Sequence, residues 1–246
     1  MDQLTTVNIN NIKYIIKNKN DLIENTLFRG IQWNNEIVLL IGYWIKKYKL
    51  QHFLNIGCHI GTVSLPIARY IKKVTAIEPF PPTFNHFLEH IKINDLKNIE
   101  TFNLALGDKE DNVFFLDHKN TRVKDNSGGM HAVTKDDIKN RRLSSGIHNK
   151  KYQCKMKKLD DLKCEKFDII LIDAEGRDYE IIKGGAKKIL ENKPIIIVEV
   201  WENEKRKKEN MNTKKEDVLS LMSELNFKFI KQIDHDHIFF PKDMKI

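Results

Sequence analysis

Cysteines, long apolar runs and clustered glycines are all scarce in this chain, and each scarcity narrows what it can be. There are three cysteines, Cys58, Cys154 and Cys164. An odd number leaves no complete disulfide framework, and no pair has metal-ligand spacing, so the chain reads as a protein of a reducing compartment. The longest apolar run, Ile37 to Ile45, is far too short to span a bilayer. The first residues, Met1-Asp2-Gln3-Leu4-Thr5-Thr6, lack the basic-then-apolar order of a signal peptide. The expectation is a soluble cytoplasmic protein without a membrane role. Glycine accounts for 11 of 246 residues, and the Gly-x-Gly-x-x-Gly fingerprint of nicotinamide sites does not occur. Nor is there an interleaved aromatic–basic run that would stack nucleic-acid bases.

What is present fits one large α/β domain with a full core. Hydrophobic residues make up 41% and charged residues 31%, which excludes a disordered chain. The net charge of +8 favours an acidic or phosphorylated partner. Abundant Lys, Asn and Ile, as an AT-rich genome encodes, account for part of it.

The organising stretch is Phe53-Leu54-Asn55-Ile56-Gly57-Cys58-His59-Ile60-Gly61, followed by an amphipathic run from Thr62 to Ile71. It reads as a buried strand, a tight glycine turn and a helix. Gly57 lets the backbone turn and approach a ligand, and Gly61 lets the helix start close to the strand. A second strand, Val74 to Glu78, ends in an acid about twenty residues beyond the turn, where a carboxylate meets a ribose diol. The Gly57-x-x-x-Gly61 spacing is that of an S-adenosylmethionine (SAM) site.

Around this unit the chain alternates strands and helices. Residues 1–34 read as an N-terminal extension, with a strand or hairpin near Val7 to Ile16. Apolar residues at helical spacing predict a helix from Asn34 to Lys49, capped by Asn34 or Asn35. Its leading end, with Trp33 and Glu36, either covers the cofactor or only packs. Pro79-Phe80-Pro81-Pro82 is a stiff turn that sets Phe80 against the adenosine or in the core. A helix follows from Thr83 to Asn94. A strand from Asn98 to Leu106 brings Ala105 and Leu106 to an adenine face, with Asp108 either accepting from the adenine amine or starting a turn. Val113 to Leu116 is an added strand. The polar, basic segment 117–151 reads as a substrate lid or a solvated insertion, and His131 within it is a weaker base candidate. Further strands are expected at Cys154 to Leu159, Phe167 to Asp173 and Ile195 to Val200, with a helix from Tyr179 to Leu190. Residues 202–215 read as a solvated loop and Asp217 to Leu225 as a helix. Phe227 to Ile233 and His237 to Phe240 form a closing antiparallel pair around Asp234-His235-Asp236, which reads as a turn rather than a metal site.

Taken in order, Asn55 to Gly61, Ile77-Glu78-Pro79, Asn103 to Asp108, Lys158 to Leu162, Leu171 to Gly176 and Val198-Glu199 resemble the FkbM family of SAM-dependent methyltransferases. The resemblance covers residues 35 to 241. It implies a Rossmann-like class I methyltransferase fold: an α/β protein with a mainly parallel seven-stranded sheet, a C-terminal antiparallel strand and helices on both faces. It also implies methyl transfer to a hydroxyl of a sugar, glycan or other small molecule. The cofactor residues it marks are Gly57, Cys58, His59, Gly61, Glu78, Pro79, Phe80, Ala105, Leu106 and Asp173. Asp173 and Glu175 are the candidate catalytic groups, as general base or hydroxyl-orienting residue; alternatively Asp173 meets only the SAM amino group and Glu175 caps the next helix. No metal is expected. Two departures stand out: His59 replaces the usual Asn, and Glu175-Gly176-Arg177-Asp178 replaces Glu-Gly-x-Glu. An RNA cap or ribose methyltransferase and a non-catalytic SAM-binding protein are the competing readings.

Overall fold

The computed structural model of the chain describes residues 5–115, 128, 132–140 and 152–244. Its first element is a hairpin, β1 (Thr5–Ile9) and β2 (Ile12–Ile16), turned by Asn10 and Asn11 at φ 50° and 65°. Two left-handed residues match the twist of a two-residue hairpin, and asparagine tolerates that conformation. Helix α1 (Leu22–Phe28) was not expected. Asp21 caps it by accepting the Ile23 and Glu24 N–H groups, while Glu24 reaches back to the Lys17 and Asn18 N–H groups. Helix α2 (Asn35–Tyr48) falls where the periodicity put it and buries Ile37, Ile41, Trp44 and Ile45. Asn34 precedes it in a left-handed conformation without a side-chain cap bond.

The central unit comprises β3 (His52–Ile56), α3 (Ser64–Ala68), β4 (Lys73–Ile77), α4 (Pro81–Ile93) and β5 (Ile99–Phe102). The helix expected over Thr62 to Ile71 is cut to α3. Pro66 offers no N–H to carry the ladder back toward Thr62, and the N–H groups of Arg69 and Tyr70 bond three residues back. The strand expected from Asn98 to Leu106 is also split. Asn103 donates to the Glu78 carbonyl at 2.8 Å and bends the chain away. The remainder, β6 (Ala105–Leu106), joins β7 (Asp111–Phe115), β8 (Ala132–Val133) and β9 (Gln153–Lys157) in a separate four-stranded sheet. Helix α5 (Lys135–Asn140) follows β8. Most of the expected lid segment, including His131, lies outside the described residues.

After β10 (Ile169–Ile172) come α6 (Asp178–Gly184) and α7 (Ala186–Asn192) in place of one helix. The break at Gly184-Gly185 has a packing cause: a Cβ on Gly184 would lie 2.0 Å from the Gly107 carbonyl oxygen. Then follow β11 (Ile195–Glu199), α8 (Asn203–Lys208), α9 (Lys215–Glu224), β12 (Phe227–Ile233) and β13 (Asp236–Pro241). The main sheet runs β12-β13-β11-β10-β3-β4-β5, parallel from β11 to β5, with β13 antiparallel to both neighbours. This is the Rossmann-like architecture that the resemblance implies.

The strands are buried on both faces, which is why they read as unbroken apolar runs. Phe53, Val74, Leu171 and Ile197 face a core with α2, α3 and the hairpin, whereas Leu54, Ile170 and Ile196 face Ile182, Val218 and Met222. Each fully buried Ile or Phe contributes about 1.5–3 kcal/mol. The hairpin docks differently, through the outer edge of β2. Asn94 accepts the Lys13 N–H and donates to its carbonyl, His90 Nε2 accepts the Ile15 N–H at 2.9 Å, and His86 Nε2 bonds the Ile15 carbonyl at 2.9 Å. Side chains at successive turns of α4 thus stand in for a neighbouring strand. Among the described residues no helix is long and apolar enough to cross a membrane.

Candidate active site

The carboxyl ends of β3, β4, β10 and β11 open into a cavity of about 340 Å³. Here the chain leaves β3 to build the sheet on one side and returns as β10 on the other, the position where open α/β sheets bind ligands. Gly57 sits in this crevice at φ +79°. A Cβ there would lie 1.7 Å from the Asp173 carbonyl oxygen, so no other residue lets the two strand ends meet. The N–H groups of Gly57 and Cys58 both bond the Ile77 carbonyl, fastening the turn to β4. Gly61 does not line the cavity. Its missing Cβ makes room for the Phe87 ring of α4, 2.3 Å from where that carbon would be.

Glu78 lies at the wall and is 6% exposed. Its Oε2 accepts the His59 N–H and its Oε1 the Phe80 N–H, each at 2.9 Å. Each oxygen keeps a further lone pair, so the carboxylate is held still with accepting capacity left over. Burial raises its pKa to about 7. The buried His59 imidazole is pushed down to about 4 and is neutral, and burial raises the Cys58 thiol, which makes it a packing residue rather than a nucleophile. Beyond Glu78 the wall turns apolar. Pro79, Phe80, Leu104, Ala105, Leu106, Val113 and Met156 line it, and Phe80 packs on Phe115 at 5.0 Å and Tyr152 at 5.2 Å. Phe80 is thus both wall and core. Asp108 is not part of this wall and pairs with Lys183 at 3.0 Å. Trp33 and Asn34 close the cavity at the head of α2, whereas Glu36 does not reach it.

The opposite end is acidic for a reason of register. Ile56 pairs with Ile172, and Ile172 with Val198; one residue further along stand Gly57, Asp173 and Glu199, and Glu199 pairs with Asp236. A row of carboxylates therefore crosses β10, β11 and β13 at their cavity ends. Glu175 joins it from the following turn, at φ 49°. Carboxylate oxygens of Asp173, Glu175 and Glu199 lie within 4.8 Å of one another, close enough to hold a cation between them. Burial, then Glu199 and Glu175, raises the Asp173 carboxyl well above its usual range, and burial and Glu199 bring Glu175 to about 7. Lys205 Nζ is 3.8 Å from Glu175 and 3.5 Å from the centre of the Trp201 ring, whose N–H donates to Glu199. Glu175 does not cap α6, whose N-cap position is Arg177.

The two residues that depart from the family pattern hold neighbouring segments in place. Asp178 is buried away from the cavity and pairs with Arg206, which also donates to the Trp201 carbonyl and Thr213 Oγ1. Residues 202–215, expected to be a solvated loop, therefore contain a helix anchored by a buried arginine. Arg177 lines the cavity and pairs with Asp137 and the Ala132 carbonyl.

Sequence reasoning left several wall residues out of the site. Asn55 is 2% exposed; its Nδ2 donates to Ser64, while its Oδ1 has no hydrogen-bond partner. It stands in the strand that ends at Gly57, and that position was its signal. Glu199 ends a buried strand, as Asp173 follows one. The β12–β13 turn, read as remote, brings Asp234, His235 and Asp236 to the cavity, because antiparallel β13 runs back to the edge where β11 ends.

A doubly wound sheet with a carboxylate after its second strand, an apolar slot beside it and an acidic far end defines a nucleoside-cofactor site of the methyltransferase kind. The description "Methyltransferase FkbM domain" matches residues 55–229, and the chain belongs to this family, a class of SAM-dependent methyltransferases. Among solved structures it is similar to methyltransferase FkbM from Methylobacillus flagellatus KT at 13% identity, covering 77% of this chain and 43% of that one with a TM-score of 0.49. It thus spans less than half the length of that relative. A candidate transferase from Pyrococcus horikoshii is 17% identical over 98% of this chain and 71% of that one, with a TM-score of 0.50, which shows the fold. Magnesium protoporphyrin IX methyltransferase from Synechocystis PCC 6803, with bound SAM, is 10% identical over 89% and 82% of the two chains, at a TM-score of 0.48. No curated protein matches the chain.

Proposed function

We propose that the protein is an O-methyltransferase that uses SAM to methylate a hydroxyl of a sugar or other small polyol. The observation that carries this reading is the carboxylate row, which faces the ribose carboxylate and apolar slot across one cavity. The cofactor fits the residues present. Glu78 offers fixed acceptor oxygens for a diol, the slot around Ala105 and Leu106 suits an adenine, and Asn55 Oδ1 is a buried acceptor that lacks a donor. Gly57, Cys58, His59, Glu78, Pro79, Phe80, Ala105, Leu106 and Asp173 would hold it. When bound, it supplies a methyl group already activated on a sulfonium.

The chain then has to align the acceptor and receive its proton. An oxygen of Asp173 or Glu175 takes the hydroxyl proton as the new bond to oxygen forms. Glu175, at about 7, can accept and release a proton near neutrality. The family's usual Asn is His59 here, yet the contact this position makes to Glu78 uses its backbone N–H, which any non-proline residue supplies. That weighs against a binding protein without catalysis. The net charge of +8 favours RNA as the acceptor, but the local charge at the acceptor end has the opposite sign and would repel phosphates.

Labelled methyl transfer from SAM to a panel of sugars, capped RNA and cell extract tests the proposal. The expected result is label on a hydroxyl of a small polyol, with Asp173→Asn and Glu175→Gln each slower by about 10²–10⁴-fold. Label on RNA alone would overturn it.

A further inference from the structure

The charges around the acceptor end do not balance. Two arginines lie near it, and each already has a carboxylate: Arg177 has Asp137, and Arg206 has Asp178. Lys205 reaches only Glu175, and its side chain remains half exposed. Among the described residues Asp173, Glu199 and Asp236 have no ion pair at all, though they stand side by side across three adjacent strands. In the same cavity, Asn55 Oδ1 is a second acceptor, almost wholly buried, with no donor. The surplus is therefore of acceptors and negative charge, in a wall that a ligand must face. The one cation that does approach the cluster is an ammonium, resting on an indole.

Resting on the methyltransferase reading above, we infer that the acceptor is an amino sugar or aminocyclitol, bound through its protonated amine at Asp173, Glu199 and Asp236. An ammonium has three donors and can meet carboxylates on adjacent strands together. It also relieves the crowding that raises the Asp173 and Asp236 carboxyls, because an opposite charge favours their ionised forms. The arrangement selects the atom that is methylated. A protonated amine has no lone pair and cannot attack the methyl group, so the neighbouring hydroxyl is the nucleophile and its proton goes to carboxylate. A uronic acid or a phosphorylated sugar would bring a like charge into the row and be rejected.

The test is calorimetric titration of the full chain, saturated with S-adenosylhomocysteine in buffer containing EDTA, with D-glucosamine, N-acetyl-D-glucosamine and D-glucuronate. Glucosamine should bind at least about tenfold more tightly than its N-acetyl form, one ion-pair's worth of selectivity, and glucuronate should not bind. Asp236→Asn and Glu199→Gln should erase the preference, with the unfolding midpoint of each variant showing that the fold survives. Equal or tighter binding of the N-acetyl form overturns the inference, as does binding of Mg²⁺ to the row without binding of the amine. Turnover with labelled SAM separates the two claims. Label on the neutral sugar in preference to the amine leaves O-methylation standing and removes the amine; label on RNA and on no sugar removes both. In products from the amine, methyl on nitrogen rather than oxygen also overturns the inference.

Discussion

At the scale of single residues, the site depends on two positions that tolerate no substitute, for different reasons. Gly57 is fixed by space and backbone together, since any Cβ would overlap the Asp173 carbonyl and φ is positive. Gly57→Ala should therefore cost roughly 3 kcal/mol or more, from left-handed strain plus the separation of β3 from β10; urea unfolding measures it, and a loss below that of an ordinary surface change would contradict the contact. Glu78 is fixed by function. Its carboxylate is already tied to two N–H groups, so Glu78→Ala should weaken SAM by about 1–3 kcal/mol while the fold persists. Its pKa of about 7 adds a pH signature. A diol donates to the ionised form, so SAM affinity should rise from pH 6 to pH 8, and calorimetry should find that part of the rise absent in Glu78→Ala. Both residues were legible in the sequence, because a glycine turn followed by an acid about twenty residues on is a local pattern. Asn55, Glu199 and Asp236 were not, because their place in the site is set by register between strands far apart in the chain.

At the scale of elements, legibility tracks how local each cause is. Helix α2 and the buried strands follow from spacing and apolar runs. Helix α1 was also written locally, in Asp21 and Glu24 three residues apart, and was overlooked among polar neighbours. The splitting of the Asn98–Leu106 strand and the anchoring of α8 depend on Asn103 meeting Glu78 and Arg206 meeting Asp178, which no window of sequence contains. The Arg206 pair makes a direct prediction. Arg206→Ala leaves Asp178 buried without its partner and should destabilise the protein by about 3–5 kcal/mol, and hydrogen exchange should rise over residues 203–213. Unchanged exchange there would mean that α8 is held by other contacts. The docking of β2 on α4 predicts acid sensitivity. His90 accepts an N–H at Nε2 and His86, held near 3 by burial and by His90, has no room for charge. A folded-state pKa below the unfolded value gives stability that is full above pH 6.5 and is lost as pH falls, about 2 kcal/mol for His86 between pH 7 and pH 5. Glu78, Glu175 and Asp236, raised by burial, titrate in the opposite sense. The contribution of His86 is therefore the difference in slope between wild type and His86→Gln, read from urea unfolding at both pH values. Equal slopes would mean that the imidazole is not constrained as neutral.

At the scale of the whole molecule, overall charge and site charge have opposite signs, and the two should have separable consequences. The excess of 42 basic over 34 acidic side chains gives the net charge of +8, and such a surface attracts polyanions without regard to sequence. The acceptor end of the cavity instead gathers Asp173, Glu175, Glu199 and Asp236. RNA should therefore bind weakly, lose affinity steeply with added salt as counterions are released, and receive no methyl group. Small cationic polyols should show the opposite behaviour, because their binding occurs within a walled cavity that salt screens less than an exposed surface. The measurement is a pair of salt series from about 50 mM to 200 mM: RNA affinity by filter binding, and methyl transfer to the amino-sugar acceptor at subsaturating concentration. RNA affinity should fall by at least tenfold over that range while transfer changes by less than threefold. If the two fall in parallel, the acceptor reaches the site through the same basic surface, and the acidic row does not govern which molecule is methylated.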